Sequence, residues 1–211
     1  DQIELSLDTP ANLARQLLND EIDCGLVPVA VIPSLPEYHF ISDYGICCDG
    51  EVASVCIFSE CPIEEIECLL LDYQSRTSVQ LARVLLENHW KLYPKLVHTT
   101  EDFRNQIKGK TAAVLIGDRA LEQRHISTYI YDLGKAWKDY TSLPFVFATW
   151  ISNKPLPADF CEQFNRANRI GLENIDEVIA AHPYTAYDLR KYYKGIIDFS
   201  FGEQQKRGLY R

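Results

Sequence analysis

The chain has 211 residues, enough for one large domain or two small ones with a proper hydrophobic core. Its composition, 46% hydrophobic and 24% charged, is ordinary for a globular protein. The formal net charge of −9 argues against nucleic acid and anionic membrane surfaces as general partners, although a local group of donors can still bind a small anion. The sequence carries no indication of the oligomeric state.

Strand-like and helix-like segments alternate along the chain. Alternating or apolar runs predict strands at residues 2–7, 24–29, 38–48, 52–58, 68–71, 111–116, 129–133 and 145–151. Helices are predicted from Pro10, which follows a Thr9 N-cap, at residues 77–90, and at 157–194 with breaks at Gly171 and His182-Pro183. This alternation is typical of an α/β protein with mainly parallel sheets.

No clean linker divides the chain, so a two-lobed arrangement requires strands that cross between the lobes. The best candidates are residues 45–55 and 145–150, two extended passages separated by a self-contained α/β pattern. We therefore predict a first lobe in residues 1–53, a second lobe in residues 54–148, and a mostly helical return segment in residues 149–211 that completes the first lobe.

Cysteine and histidine usage bears on compartment and metals. The seven cysteines form an odd, scattered set that favours reduced thiols and a cytoplasmic protein. No CxxC pair or HExxH motif occurs, so we expect no metal site. No apolar stretch has the length of a membrane span. The sequence has no methionine, which favours a trimmed chain and leaves a removed signal sequence open.

The stretch LLLDYQSRTSVQLARVLL, residues 69–86, leads from a buried strand into a helix through Ser75, Arg76, Thr77 and Ser78. The hydroxyl residues could simply cap the helix around a solvated arginine. The same residues, with the free amides at the helix N-terminus and the arginine fork, could instead bind a carboxylate. Both interpretations stay open from the local sequence.

Two further stretches place polar residues at strand ends. In CCDGEVASV, residues 47–55, Ser54 lies among apolar strand residues and needs a hydrogen-bond partner. In LIGDRAL, residues 115–121, a strand ends in Gly117-Asp118, where Asp118 either caps the next helix or lines a cleft. The motifs GxSxG, GxxxxGK[ST] and GxGxxG are absent. What remains is a cleft that holds a small anion through amides and hydroxyls.

Several stretches together resemble the chorismate dehydratase family, enzymes of the futalosine route to menaquinone. The matching stretches, in family order and spacing, are DTPANLARQLLNDEIDCGLVPVA, CDGEVASV, LDYQSRTSVQLARVLL, AAVLIGDRAL, YDLGKAWKDYTSLPFVFATW and IDFSFG. The resemblance implies a fold similar to type II periplasmic binding proteins, with two α/β lobes and a hinge. It also implies that chorismate, a small dicarboxylate, loses water to give 3-[(1-carboxyvinyl)oxy]benzoate without a metal or organic cofactor.

The resemblance extends to individual site residues. Ser54 matches the serine of the family's DGxxxS strand, expected to contact the substrate and to serve the catalytic step. Residues 75–78 match the SRTS turn, which we expect to bind a carboxylate, with Arg76 either contributing to it or bracing the lobe. Gly117 and Asp118 match the family's IGD. No histidine is positioned by a motif, so we expect the substrate's own carboxylate to take the proton.

One departure and two alternatives accompany the resemblance. The family begins with a strand and loop close to SYxNT, and this chain starts downstream of it, so that strand is expected to be missing. The alternatives are a type II solute-binding protein for a small carboxylate, and a later, naphthoate-forming enzyme of the same route. The aromatic residues Trp137, Tyr140, Phe145, Phe147 and Trp150 are either core or, for one of them, a platform for the substrate ring.

Overall fold

The computed structural model describes residues 3–211, which form two β-sheets flanked by helices. The strands are β1 (Cys24–Pro28), β2 (His39–Cys48), β3 (Val55–Ser59), β4 (Cys68–Leu71), β5 (Lys95–His98), β6 (Thr111–Ile116), β7 (Tyr129–Asp132), β8 (Phe145–Ser152) and β9 (Asp198–Ser200). The helices are α1 (Pro10–Leu18), α2 (Thr77–Leu85), α3 (Gly117–Gln123), α4 (Leu133–Thr141), α5 (Ala158–Glu173), α6 (Ile175–Ala181), α7 (Leu189–Lys191) and α8 (Glu203–Leu209). No helix within these residues is long and apolar enough to cross a membrane.

The first sheet, sheet A, has the strand order β1-β8-β2-β9. Every pairing in it is antiparallel, with Val27 opposite Thr149 in the β1–β8 pair. Helix α1 begins after Thr9, whose hydroxyl accepts a hydrogen bond from the amide of Asn12. The helix covers the β1 end of sheet A because its apolar stripe faces inward. Ala14 and Leu17 on that stripe are fully buried, as the helical spacing in the sequence predicts.

The second sheet, sheet B, has the order β5-β4-β6-β3-β7. β4 is parallel to β5 and to β6, whereas β3 is antiparallel to β6 and to β7. The strands are rich in Val, Leu, Ile and Ala because both faces are covered, and Ile57, Leu69 and Val114 are fully buried. Helices α2 and α4 pack on this sheet and contribute Leu85 and Leu133 to the same core.

The mixed α/β architecture with two sheets is confirmed, but the prediction of mainly parallel sheets is wrong. Within residues 3–211, five of the seven strand pairs are antiparallel. In sheet A, β8 brings the chain back from sheet B, lies between β1 and β2, and is antiparallel to both. In sheet B, β3 is the first strand after the crossing, and it runs opposite to the four later strands. Strand–helix alternation in a sequence indicates strand–helix–strand units. It does not indicate the direction in which a strand that crosses between the sheets will run.

Two local predictions are also wrong. Residues 3–7 are exposed and not a strand, because no neighbouring strand pairs with their alternating pattern; Gln2, at the start of the predicted strand, lies outside the described residues. The long C-terminal helix breaks after Glu173 rather than at Gly171, which is helical. Short strands at β5 and β9, which have too few residues to show a clear period, were not predicted.

The chain crosses between the sheets twice. The first crossing lies between β2 and β3, at residues 49–54, and the second lies between α4 and β8, at residues 142–144. β8 pairs with sheet A from Phe145 to Ser152, so the predicted lobe boundary at 148/149 falls inside a strand of that sheet. The division into lobes at residues 53 and 148 stays a prediction, and the sheets favour placing the second boundary near residue 143.

Candidate active site

Three polar turns lie together at one edge of sheet B. β4 and β6 are parallel neighbours, so their carboxyl ends meet at this edge. β3 is antiparallel to β6, with Val55 opposite Ile116, and therefore begins where β6 ends. The turn of residues 75–78 after β4, the Gly117-Asp118 pair after β6, and Ser54 before β3 are consequently neighbours. These stretches lie far apart in the sequence, and the fold brings them to one place.

The turn between β4 and α2 is a helix cap that also leaves donors free. The Ser75 hydroxyl accepts a hydrogen bond from the amide of Ser78 at 3.1 Å, so Ser75 caps the helix. The first amides of α2 have no acceptor one turn back. The Ser78 side chain is buried, and its hydroxyl makes no hydrogen bond within residues 3–211. Capping therefore uses the Ser75 hydroxyl, and the Ser78 hydroxyl stays available for a ligand.

Thr77 connects this turn to the other sheet. Its hydroxyl oxygen accepts a hydrogen bond from the amide of Ala30 at 3.2 Å. Ala30 lies in the 3₁₀ turn Val29–Ser34, which directly follows β1 of sheet A. Because the oxygen of Thr77 is the acceptor here, its own O–H remains free to donate. The N-terminus of α2 thus lies between the two sheets rather than on an outer surface.

Of the two roles considered for Arg76, the bracing role is filled by another arginine, Arg119. Arg76 is exposed and makes no side-chain hydrogen bond or ion pair within residues 3–211. Arg119 braces the lobe instead: its Nη2 lies 2.8 Å and 2.9 Å from the carboxylate oxygens of Asp72 and 2.9 Å from Oε1 of Gln74. Asp72 also accepts from the amide of Ile116 at 3.2 Å, so the brace joins the β4 turn to the β6 turn.

Ser54 follows a strained turn that a partly buried carboxylate holds. Ala53 has a φ of 61°, a left-handed conformation that non-glycine residues rarely adopt. Asp132 holds it by accepting from the amides of Val52 and Ala53, the latter at 2.7 Å. Burial raises the pKa of Asp132, and these backbone donors oppose the rise. The Ser54 carbonyl accepts from the amide of Gly117 at 2.9 Å, which links this turn to the β6 turn.

The hydroxyl of Ser54 has a specific partner. It lies 2.6 Å from the phenol oxygen of Tyr192, a residue 138 positions further along the chain. Ser54 is buried, and burial raises the pKa of Tyr192 to about 12, so the phenol is neutral at physiological pH. The requirement for a hydrogen-bond partner, inferred from the sequence, is therefore met by a side chain rather than by backbone.

Gly117 and Asp118 form the first turn of α3. Gly117 has a φ of 61°, which explains the glycine at this position. The N-cap of α3 is Ile116, so the interpretation of Asp118 as an N-cap is wrong. Asp118 lies one residue inside the helix, exposed, where a carboxylate is favoured by the helix dipole. Its backbone carbonyl accepts from the phenol of Tyr184 at 3.3 Å.

The aromatic residues of the α4–β8 region are mostly core. Trp137 and Phe147 are buried in the main hydrophobic cluster, and Phe145 stacks edge-to-face against both. Trp150 packs edge-to-face on a phenylalanine of α5. Tyr140 is the most exposed of the five, at 39%. This packing agrees with the interpretation of these aromatic residues as core.

Within the described residues, neither a histidine contact nor a metal-binding cluster is found at the three turns. Within residues 3–211, no histidine hydrogen-bonds to Ser54, to residues 75–78 or to Gly117-Asp118; His125, at the end of α3, contacts the carbonyl of Ala186 at 2.7 Å. No group of three metal-ligating side chains is found there either. All seven cysteines are free thiols. A cavity of about 220 Å³ between α4 and α8 is lined by other residues.

Four residues that shape this edge were not predicted from the sequence. Asp72 and Asp132 each directly follow or end a strand, which is a usable signal for a carboxylate at a sheet edge. Arg119 follows the IGD triplet after β6, and its pairing with Asp72 depends on β4 and β6 being neighbours in sheet B, which the sequence does not show. Tyr192 carries no such signal, because it lies far along the chain in a helical region and reaches Ser54 only through the fold.

The sequence is similar to known proteins. The family model described as menaquinone biosynthesis matches residues 1–211. The chorismate dehydratase of Thermus thermophilus is 27% identical over 192 residues, which cover 82% of this chain and 70% of that protein. The chorismate dehydratase of Campylobacter jejuni is 26% identical over 214 aligned positions, covering 99% of this chain and 82% of that protein.

Solved structures show the same fold. A crystal structure of a protein from Archaeoglobus fulgidus has a TM-score of 0.76 and 16% identity, covering 99% of this chain and 83% of its own. A crystal structure described as an ABC transporter from Parabacteroides distasonis has a TM-score of 0.63 and 17% identity, covering 96% of this chain and 77% of its own. At these identities the likeness concerns the fold alone.

Proposed function

The chain belongs to the menaquinone biosynthesis family over residues 1–211, and from this premise we propose that it is a chorismate dehydratase. The reaction removes water from chorismate and gives 3-[(1-carboxyvinyl)oxy]benzoate, so the enzyme is a carbon–oxygen lyase of the hydro-lyase type. Two relatives named chorismate dehydratase, which align with most of this chain, support the proposal.

The observation that carries the proposal is the meeting of three hydroxyl- and amide-rich turns at one edge of sheet B. This edge offers amide and hydroxyl donors to a ligand, and within residues 3–211 no histidine hydrogen-bonds to its three turns. Chorismate has two carboxylates, which need donors, and its dehydration gives an aromatic ring, which makes the reaction downhill. Orientation and one modest proton transfer are then sufficient for catalysis.

We assign the substrate contacts by turn. The N-terminus of α2, with Ser75, Arg76, Thr77 and Ser78, binds one carboxylate through free amides, the Ser78 hydroxyl and the exposed guanidinium of Arg76. The Ser75 hydroxyl is engaged in capping, so its contribution is to hold the amides in place. The O–H of Thr77 donates to the ligand while its oxygen keeps the amide of Ala30.

The second group of contacts lies across the edge. Ser54 donates a hydrogen bond to the substrate and thereby assists the catalytic step. Gly117 and Asp118 border the ring, with Gly117 allowing close approach because it lacks a side chain. The substrate loses a ring hydroxyl and an adjacent ring proton as water. We propose that a carboxylate of the substrate itself takes this proton, since the turns supply donors rather than a histidine base.

The same proposal covers the wider setting of the enzyme. The two lobes close on the substrate about a hinge formed by the two crossings, residues 49–54 and 142–144. The partner is a small dicarboxylate, with no cofactor, nucleic acid or membrane component, and the compartment is the cytoplasm. A solute-binding protein for a small carboxylate would use the same fold without turnover, and the experiment below separates the two functions.

The test is incubation of the purified protein with chorismate, with product followed by chromatography. We expect 3-[(1-carboxyvinyl)oxy]benzoate to accumulate at a rate proportional to enzyme concentration. Arg76→Met should raise KM about tenfold, because it removes a charged donor to a carboxylate. Arg166→Met, which removes an exposed arginine of α5, is the matched control and should change neither constant. Tight binding of chorismate without product would replace the dehydratase by a solute-binding protein.

A further inference from the structure

The segment after α6 returns across the edge of sheet B and ends on Ser54. Three contacts hold it there. The phenol of Tyr184 donates to the carbonyl of Asp118 at 3.3 Å. The carbonyl of Ala186 contacts Nε2 of His125 at 2.7 Å. The phenol of Tyr192 lies 2.6 Å from the Ser54 hydroxyl. The first and last of these contacts are made to two of the three turns of the candidate site.

Local backbone structure fixes the position of Tyr192. Its amide donates to the carbonyl of Asp188 at 2.9 Å, and its carbonyl accepts from the amide of Ile197 at 3.0 Å. The second bond spans five residues and belongs to a π-helical turn, Tyr192–Ile196. Such turns are uncommon and occur frequently at functional sites. The Asp188 carboxylate caps the preceding helix by accepting from the amide of Lys191 at 3.0 Å.

The chemistry of the ligand decides which oxygen of the pair should donate. A carboxylate only accepts hydrogen bonds, so Ser54 can bind it only if its own proton points toward the ligand. A serine that donates to Tyr192 has no proton left for the ligand. A phenol that donates to Ser54 leaves the serine proton free and also polarises the serine O–H.

On this basis we infer that Tyr192 is a positioning residue, whose phenol donates to the Ser54 hydroxyl and so directs the serine proton toward the substrate. The inference rests on the proposed function, because it needs an anionic substrate at Ser54. The raised pKa of Tyr192 agrees with it, since the phenol keeps its proton at physiological pH. Tyr192 is not itself a catalytic residue, because it acts through Ser54.

The test is a double-mutant cycle on kcat/KM for chorismate with Ser54→Ala, Tyr192→Phe and the double variant. Tyr192→Phe should lower kcat/KM about fivefold to tenfold, as expected for one lost hydrogen bond. In the Ser54→Ala background the same change should have an effect below twofold, because the group it acts through is gone. Tyr193→Phe, which removes a neighbouring phenol oxygen, is the matched control and should keep the wild-type value.

The outcomes separate this inference from the proposed function. If the wild-type protein does not convert chorismate, the dehydratase proposal fails and this inference fails with it. If the wild-type protein is active but the factors by which the two substitutions lower kcat/KM multiply, Tyr192 acts independently of Ser54. In that case only the inference is overturned. A purely structural role for Tyr192 would also multiply, since a loss of folding would appear equally in both backgrounds.

Discussion

The carboxylate of Asp72 and the guanidinium of Arg119 form a buried ion pair with an N–O distance of 2.8 Å. Their side chains are 0% and 16% exposed, and the pair joins the turn after β4 to the turn after β6. Removing one partner of such a pair leaves an uncompensated buried charge. We therefore expect Arg119→Met to lower the free energy of unfolding by about 3 kcal/mol, measured by urea denaturation.

The matched control for this change is Arg166→Met on the exposed surface of α5. It should alter the free energy of unfolding by less than about 0.5 kcal/mol. Equal effects of the two substitutions would mean that the Asp72–Arg119 pair adds nothing beyond a surface charge. A selective loss at Arg119 would identify the pair as the element that holds the two turns in register.

Two glycines give a second prediction, because the same substitution should act in opposite directions. A Cβ at Gly117 or at Gly171 would meet no heavy atom within 4 Å, so only the backbone decides. Gly117 has a φ of 61°, which costs an alanine about 1 kcal/mol. Gly171 is helical in α5, where alanine gains about 0.5 to 1 kcal/mol over glycine. Urea denaturation should therefore show that Gly117→Ala lowers the free energy of unfolding and that Gly171→Ala raises it. A higher free energy of unfolding for Gly117→Ala would contradict the left-handed backbone conformation at this position.

Much of this organisation could be predicted from local sequence. Helix α1 follows from the Thr9-Pro10 start and its apolar stripe, and the polar stretches around Ser54, residues 75–78 and Gly117 were selected by their positions at strand ends. These features depend on a few adjacent residues, whose backbone preferences and capping chemistry act over one or two turns. The meeting of the three stretches at one edge required the strand order, which local patterns do not contain.

What the sequence could not predict depends on contacts between distant residues. The direction of β3 and β8 is set by where the chain crosses between sheets, and an apolar strand looks the same in both directions. Tyr192 reaches Ser54 across 138 residues. Residues 3–7 alternate as a strand would, yet pairing needs a neighbouring strand and they have none in the described chain. In each case tertiary structure, not local propensity, decides.

Asp118 provides a test of the proposed source of the base. Its exposed carboxylate follows Gly117 directly in the sequence and lies in the first turn of α3. If a substrate carboxylate takes the ring proton, Asp118→Asn should raise KM for chorismate about threefold, through altered contacts, and leave kcat within about threefold. Asp139→Asn, on the exposed surface of α4, is the matched control. Loss of turnover in Asp118→Asn with chorismate binding intact would make Asp118 the base instead.

Alkaline unfolding tests the burial of Tyr192 independently of any function. Burial raises its pKa to about 12 in the folded protein, above the value of about 10 for an exposed phenol. The folded state therefore holds a proton that the unfolded state releases, so the stability present below pH 10 is lost as the pH rises toward 12. At pH 11 the wild-type protein should have lost about 1.4 kcal/mol more than Tyr192→Phe, relative to pH 8.

The difference between the two proteins isolates Tyr192 from the other groups that titrate in this range, because Tyr192→Phe lacks only this phenol. Urea denaturation at pH 8 and pH 11 measures both proteins under the same conditions. Parallel pH dependences for the wild type and Tyr192→Phe would mean that the phenol reaches solvent, and the contact with Ser54 would then be too open to orient its proton.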